Sequence, residues 1–305
     1  MSKHGPLRNF AEYALAWPVL KCLEWAPLAM ARAGADLLAS GIYAVTPAWR
    51  RVAETNLGLA FPEADAPARN HIVRGVYRNL GRAALAVARM PRLNAGNISD
   101  WIEYEGFEHY EAALAKGKGV LFMTAHLGNW ELSAFAHALF GHPMHVMVRP
   151  LDNPWLDGLI EAHRTSCGNH TIRKHDSARH VFQLLRRNQA VGILVDQNAA
   201  GDDGVFVNFF GRQASATSGL VKIAMRSGAA VIPGFAFWRP AERRYALRFY
   251  PPLEMAAGEG GEAEVVANTQ KCQSFLENVI REHPDQWLWI HRRWKTRPAD
   301  EPSLY

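Results

Sequence analysis

Apolar residues along this chain of 305 residues change their rhythm once, near Gly119. Up to about residue 100 the apolar runs have helical spacing, without the period of two that marks a half-buried strand. Tyr13 to Val45 is apolar but interrupted by Lys21, Glu24, Arg32 and Asp36. Pro47 suits the first turn of a helix running to about Gly58, AFPEADAP (60–67) reads as a loop, and Ala68 to Met90 reads as a long helix. From Gly119 short apolar runs alternate with helical patterns. Strands are expected at 119–125, 145–149, 190–196, 229–238 and 244–250, with 204–210 a strand or an apolar loop. Helices are expected at 155–166, 177–187, 218–227 and 265–283, and the Gly-rich acidic stretch 255–264 reads as a surface loop. The mostly β-α-β-α order predicts an α/β fold with a mixed, partly parallel central sheet flanked by helices and an N-terminal helical extension.

Hydrophobic residues are 49% and charged residues 21%, which supplies a packed core and excludes wholesale disorder. Lys plus Arg exceed Asp plus Glu by 34 − 29 = +5. That excess suits an anionic partner (nucleic acid, a phospholipid surface or an acidic protein) without choosing among them. Cys22, Cys167 and Cys272 lie too far apart for a disulfide framework or a CxxC metal site, as fits a reducing compartment. No cleavable signal pattern opens the chain. The charges inside 13–45 leave two readings of the N-terminal helices. They pack on the domain, or they lie in or weakly span a membrane interface at which Trp17, Trp25 and Trp49 would sit. The tail, with Trp287, Trp289 and Trp294 beside Arg292, Arg293 and Lys295, has a matching pair of readings: headgroup anchor or packing against the sheet.

The sharpest chemical signal is HLGNWE, with His126 and Glu131 five positions apart. On one helix that spacing separates them by roughly 140°, so they would not meet. At a strand-to-helix junction they can: His126 ends a strand, Leu127 and Gly128 turn, and Asn129 caps the helix that Trp130 opens. Glu131 then sits in the first helical turn, where the dipole favours its ionised form, and reaches back toward the imidazole. A carboxylate on one ring nitrogen fixes the tautomer and leaves the other as a general base. Strand ends are also where ligands bind in α/β sheets. The i, i+4 histidine pair of a zinc helix is absent, as are RNA- and DNA-binding signatures, so neither metal nor nucleic acid is expected. Without a GxSxG elbow, the attacking oxygen should come from a substrate.

HLGNWE resembles the His-x4-Asp/Glu motif of glycerolipid acyltransferases, and the ordered blocks around it resemble the late (lauroyl/myristoyl) acyltransferases of lipid A biosynthesis. The resemblance runs through RRVAETNLGLAFPE (51–63), VYRNLGR (76–82), VRPLDNPWLDGLIEAHR (148–164), VGILVDQNA (191–199), FFGRQASATSG (209–219), AVIPGF (230–235) and WLWIHRRWKTRP (287–298). It implies an acyltransferase domain over 51–305 behind a membrane-associating segment 1–50. It implies His126 as the base that deprotonates the acceptor hydroxyl, Glu131 as its orienting group, and Arg149, Asp196 and Pro233 as further block residues at the substrate. The donor it implies is an acyl carrier protein thioester and the acceptor a lipid A precursor, without cofactor, on the cytoplasmic face of the inner membrane. The same architecture acylates glycolipids such as phosphatidylinositol mannoside, which leaves acyl-CoA and a different acceptor as the alternative.

Each accessory residue carries a plainer reading. Arg149 is a surface arginine at a strand end, Asp196 caps the following loop, and Asp152 and Asn153 begin a turn before Pro154. Gly211 and Arg212 bind phosphate or merely turn the chain. Phe206, Phe209 and Phe210 form core or an acyl-chain wall. His137, His163, His170, His175 and His180 lack metal spacing and read as structural. Arg74, Arg78 and Arg82 share one helix stripe, which is either a solvated face or a surface that steers an acidic carrier protein.

Overall fold

The computed structural model of the chain describes residues 5–173, 177–201, 204–256 and 261–305. Its centre is a seven-stranded sheet in the order β1-β9-β8-β2-β5-β3-β4. These strands are β1 (Ile102–Glu105), β2 (Val120–Thr124), β3 (His145–Val148), β4 (His170–Arg173), β5 (Ala190–Leu194), β8 (Ala230–Arg239) and β9 (Arg244–Phe249). The β8–β9 hairpin is antiparallel and the other pairings in this sheet are parallel, so the sheet is mixed as expected. A separate two-stranded ribbon joins β6 (Gly204–Phe209) to β7 (Arg212–Thr217).

The central strands bury both faces, which is why they read as unbroken apolar runs rather than as alternation. Leu121, Met123, Val191 and Ile193 face a core shared with α8 (Ser177–Arg186), α9 (Gly219–Ser227) and α10 (Glu262–Glu282). Phe122, Leu247 and Phe249 face a second core shared with α5 (Phe107–Leu114) and α6 (Trp130–Leu139). The elements absent from the sequence reading are β1, β4, β7 and α5. IEYE, HTIR and RQASAT are short and polar because β1 and β4 are the two edges of the sheet and β7 belongs to the small ribbon. Glu103 and Glu105 of β1 meet Arg239 and Arg248 across the sheet, each at 2.6 Å. The expected loop 255–264 lies partly outside the described residues, at 257–260, and α10 begins already at Glu262.

Helices α1 (Pro6–Trp25) and α2 (Leu28–Val45) form the N-terminal extension, while α3 (Pro47–Ala60) and α4 (Ala66–Arg89) pack into the main core. A small-residue stripe on α2 (Ala31, Ala35, Ala39) lets its backbone approach α4 closely. A Cβ on Gly81 would come within 2.6 Å of the Ala35 carbonyl oxygen. One side of the hairpin is therefore domain packing. Its other side exposes Leu7, Leu15, Trp25, Met30 and Leu37, and α2 is long and apolar enough to cross a membrane. Of the two readings of the tail, packing holds: Trp287, Trp289 and Trp294 are all fully buried. None of the three indoles reaches the surface, so a headgroup anchor built on them is excluded.

Candidate active site

Strands β2 and β5 are parallel neighbours in register, Thr124 opposite Leu194. The chain leaves the sheet twice, side by side, and places His126 and Asp196, each two residues farther on, against one another. His126 Nδ1 lies 2.9 Å from Asp196 Oδ1, and the His126 backbone N–H donates to Asp196 Oδ2 at 3.0 Å. Trp287 Nε1–H donates to the same Oδ2 at 2.9 Å. Asp196 is completely buried. Burial by itself would raise its pKa, but the His126 charge and hydrogen bond, the charge of His291 and the Trp287 N–H outweigh that and hold it well below the usual carboxylate range. An ionised Asp196 makes Nδ1 the protonated nitrogen of the ring, so Nε2 is the basic one. Burial lowers the His126 pKa, yet the charge and hydrogen bond of Asp196, with the charge of Glu131 behind them, raise it overall.

The loop between β2 and α6 is held from three sides. Gly128 has φ +62°, and a Cβ there would lie 1.9 Å from the Ala236 carbonyl oxygen, so only glycine makes this turn. Asn79 of α4 donates to the Gly128 carbonyl at 2.8 Å, which accounts for the asparagine of VYRNLGR. The tail supplies the rest: Gly128 N–H donates to Gln286 O at 2.9 Å, and Leu288 N–H donates to His126 O at 3.0 Å. Asn129 caps α6 as expected, its side chain accepting from Leu132 N–H at 3.1 Å.

The imidazole contact expected of Glu131 is made by Asp196 instead. Residue 131 follows the cap directly, and the first turn of α6 turns it toward α7 (Pro154–Thr165). There its carboxylate makes a two-pronged pair with the Arg164 guanidinium, Nε to Oε2 at 2.8 Å and one terminal nitrogen to Oε1. Sequence reasoning missed Arg164, although it ends the quoted block 148–164. It missed Trp287 as a partner of Asp196 for another reason: no local pattern links positions 91 residues apart.

His126, Glu131, Arg149 and Arg164 share the lining of a cavity of about 510 Å3 on the α6 face of the sheet. Its deeper wall is apolar: Phe122, Phe135, Met144, Val146, Leu247 and Phe249. Gly192 and Gly234 line it without side chains, and a Cβ on Gly192 would meet the Met144 methyl at 2.8 Å. Arg149 stands at the rim, its side chain 73% exposed and 3.5 Å from Asp152. Asp196 and Pro233 are absent from the lining. Pro233 is buried at the last pairing of β8 with β2, where β2 turns away toward His126 and needs no further ladder donor. Its neighbour Gly234 faces the cavity instead.

Gly211 and Arg212 are not brought to this site. They lie at the tip of the β6–β7 hairpin, and five steps of β7 at about 3.4 Å separate Arg212 from the lining residue Thr217 by about 17 Å. Phe210 and Gly211 both have positive φ, the conformation of a two-residue hairpin turn. Phe209 and Phe210 belong to the core, and Phe206 is partly exposed, so none of the three forms an acyl-chain wall. Asn153 caps α7, accepting from Trp155 and Leu156 N–H. Of the scattered histidines, His137 is buried on the cavity wall, 2.6 Å from the Tyr104 hydroxyl, and burial drives its pKa down to about 3. His175 lies outside the described residues.

Residues 3–296 match the family described as bacterial lipid A biosynthesis acyltransferase. The chain is 26% identical over 255 residues to the lipid A biosynthesis palmitoleoyltransferase of Escherichia coli K12, covering 83% of this chain and 81% of that one. It is 28% identical over 256 residues to the lipid A biosynthesis lauroyltransferase of the same strain, covering 84% and 82%. It is also similar to the phosphatidylinositol mannoside acyltransferase of Mycolicibacterium smegmatis, 23% identical over 244 residues, covering 79% and 77%.

Proposed function

The chain belongs to the bacterial lipid A biosynthesis acyltransferase family, and we propose that it moves a fatty acyl chain from acyl carrier protein onto a hydroxyl of a lipid A precursor. The observation that carries this reading is the His126–Asp196 pair at an apolar cavity large enough for an acyl chain. The acceptor hydroxyl attacks the thioester carbonyl carbon while His126 Nε2 takes its proton. The tetrahedral intermediate then collapses, the C–S bond breaks, and the leaving thiolate takes the proton back from the imidazolium. Asp196 holds the tautomer and stabilises the imidazolium. Glu131 holds Arg164, and Arg164 and Arg149 supply positive charge for the oxyanion and for phosphate groups of the acceptor.

The arginine stripe expected for the carrier protein is uneven. Arg74 and Arg78 are exposed, Arg74 reaching over the Tyr43 ring at 4.9 Å from its centroid, whereas Arg82 is half-buried over the Trp238 ring at the same distance. Arg74 and Arg78 are the steering charges in this reading. Residues 1–50 act as the membrane-associating segment and 51–305 as the acyltransferase domain, on the cytoplasmic face of the inner membrane. The membrane side is formed by the exposed face of α1 and α2 together with Trp155 and with Leu151 of the cavity lining. Trp155 packs on Phe10 and Tyr13 of α1, at 6.4 and 5.7 Å between ring centroids, so the two exposed surfaces join.

The test gives the purified enzyme labelled acyl carrier protein or acyl-CoA, with a lipid A precursor or phosphatidylinositol mannoside as acceptor. Transfer should be fastest from the carrier protein to the lipid A precursor, and a preference for acyl-CoA and the mannoside overturns that choice. His126→Ala should lower turnover by ~10²–10⁴ with thermal stability kept. Retention of more than about a tenth of wild-type turnover removes His126 from the base role.

A further inference from the structure

A carboxylate as buried as Asp196 stays ionised only where donors replace the water it has lost. It has His126 on two sides, through the backbone N–H and through Nδ1, and the Trp287 indole N–H on the third. We propose that Trp287 is a positioning residue of the His126–Asp196 pair, which makes the tail segment 286–288 part of the active site. The inference rests on His126 being the base.

The geometry gives Trp287 two separate holds on that base. Its indole pins Asp196 Oδ2, so that Oδ1 stays in line with Nδ1. Its backbone forms a bridge with Leu127, and on either side of it Gln286 O and Leu288 N–H bond to the loop at Gly128 and His126. The indole cannot swing, because Trp289 stands at 84° to it with centroids 4.5 Å apart and His291 at 87° and 5.2 Å. Trp287 is absent from the cavity lining, so it acts through Asp196 and His126 rather than on substrate.

The tail contains its own control. Trp289 is as deeply buried, but its Nε1–H donates to Pro284 O at 2.7 Å and so closes only the turn of the tail itself. A merely structural role would make Trp287→Phe and Trp289→Phe behave alike. A positioning role separates them. Losing the N–H leaves Asp196 more basic and less fixed, which strengthens its hold on the imidazolium and raises the His126 pKa further.

The experiment measures kcat, KM and the pH profile of Trp287→Phe, Trp289→Phe and His126→Ala, and the downfield proton resonance of His126 Nδ1–H. Trp287→Phe should lose kcat roughly tenfold, the value of one hydrogen bond to a charged group, at unchanged KM. The acid limb of its kcat/KM profile should move to higher pH and the Nδ1–H resonance should shift. Trp289→Phe keeps an aromatic ring against the Trp287 indole and loses only the bond to Pro284 O, so it should keep the wild-type profile and resonance. Should Trp287→Phe fail to fold, benzothienylalanine at 287 removes only the N–H and is read the same way. An unchanged kcat, acid limb and resonance at 287, or equal changes at 289, overturns the proposal. Loss of activity in His126→Ala beside a normal Trp287→Phe confines the failure to Trp287, whereas an active His126→Ala sinks the underlying base assignment.

Discussion

Both ends of this chain are rich in tryptophan and arginine, and they meet opposite fates. Trp17 and Trp25 on α1 are 43% and 66% exposed, while Trp287, Trp289 and Trp294 of the tail are at 0%. Composition cannot tell these regions apart, because an indole serves a membrane interface and a core equally well. What separates them is whether the fold offers acceptors and apolar partners. In the tail, Asp196 and the Pro284 carbonyl accept from two of the three indoles, and Phe209 and Phe210 pack against the rings. On the hairpin of α1 and α2 the inner contact is made by three alanines of α2 and by Leu23 of α1, and most of the large apolar side chains are left outside.

The largest way to break the comparison is truncation. Trp289→Ala should destabilise by about 3–5 kcal/mol, since it opens a void beside Phe61, Phe210 and Trp287. Trp25→Ala should stay within about 1 kcal/mol, the loss of the Arg92 guanidinium over its ring included. Urea unfolding of both variants checks this, and comparable losses would mean that α1 is held more firmly than its exposure implies.

A smaller effect separates the ends by pH. Burial lowers the pKa of His291 in the tail to about 4 and that of His137 to about 3, below the ordinary value of 6.5. For such groups the unfolded chain binds the proton first. Their contribution to stability is therefore complete above about 6.5 and is lost as pH falls toward 4. His291→Asn should flatten the fall of Tm with pH over that window. An unchanged slope would show that His291 is not what titrates.

The smallest expected effect sharpens the membrane side. Phe10→Glu combined with Trp155→Glu should weaken binding to anionic vesicles roughly tenfold while Tm stays put, as expected for exposed apolar surface moved from water into an interface. Flotation of the double variant at wild-type levels would remove α1 and α7 from the contact.

The sequence alone settled the elements whose pattern is local. Buried strands read as apolar runs at β2, β5 and β8, the long α4 has its apolar period, and His126 stands at a strand end before a capped helix. It did not settle β1, β4 and β7, because edge and ribbon strands bury too little to leave a pattern. The partner of His126 lay beyond it as well. Glu131 is five residues away in sequence, and Asp196 is 70 away. Only the parallel register of β2 with β5 sets residues 126 and 196 side by side, while the first turn of α6 sends residue 131 to Arg164. The same holds for the tail, whose partners lie beyond the ends of β2 and β5 and on α4. Periodicity reports which face of an element is buried, and strand order, a long-range property, decides which side chains share a site.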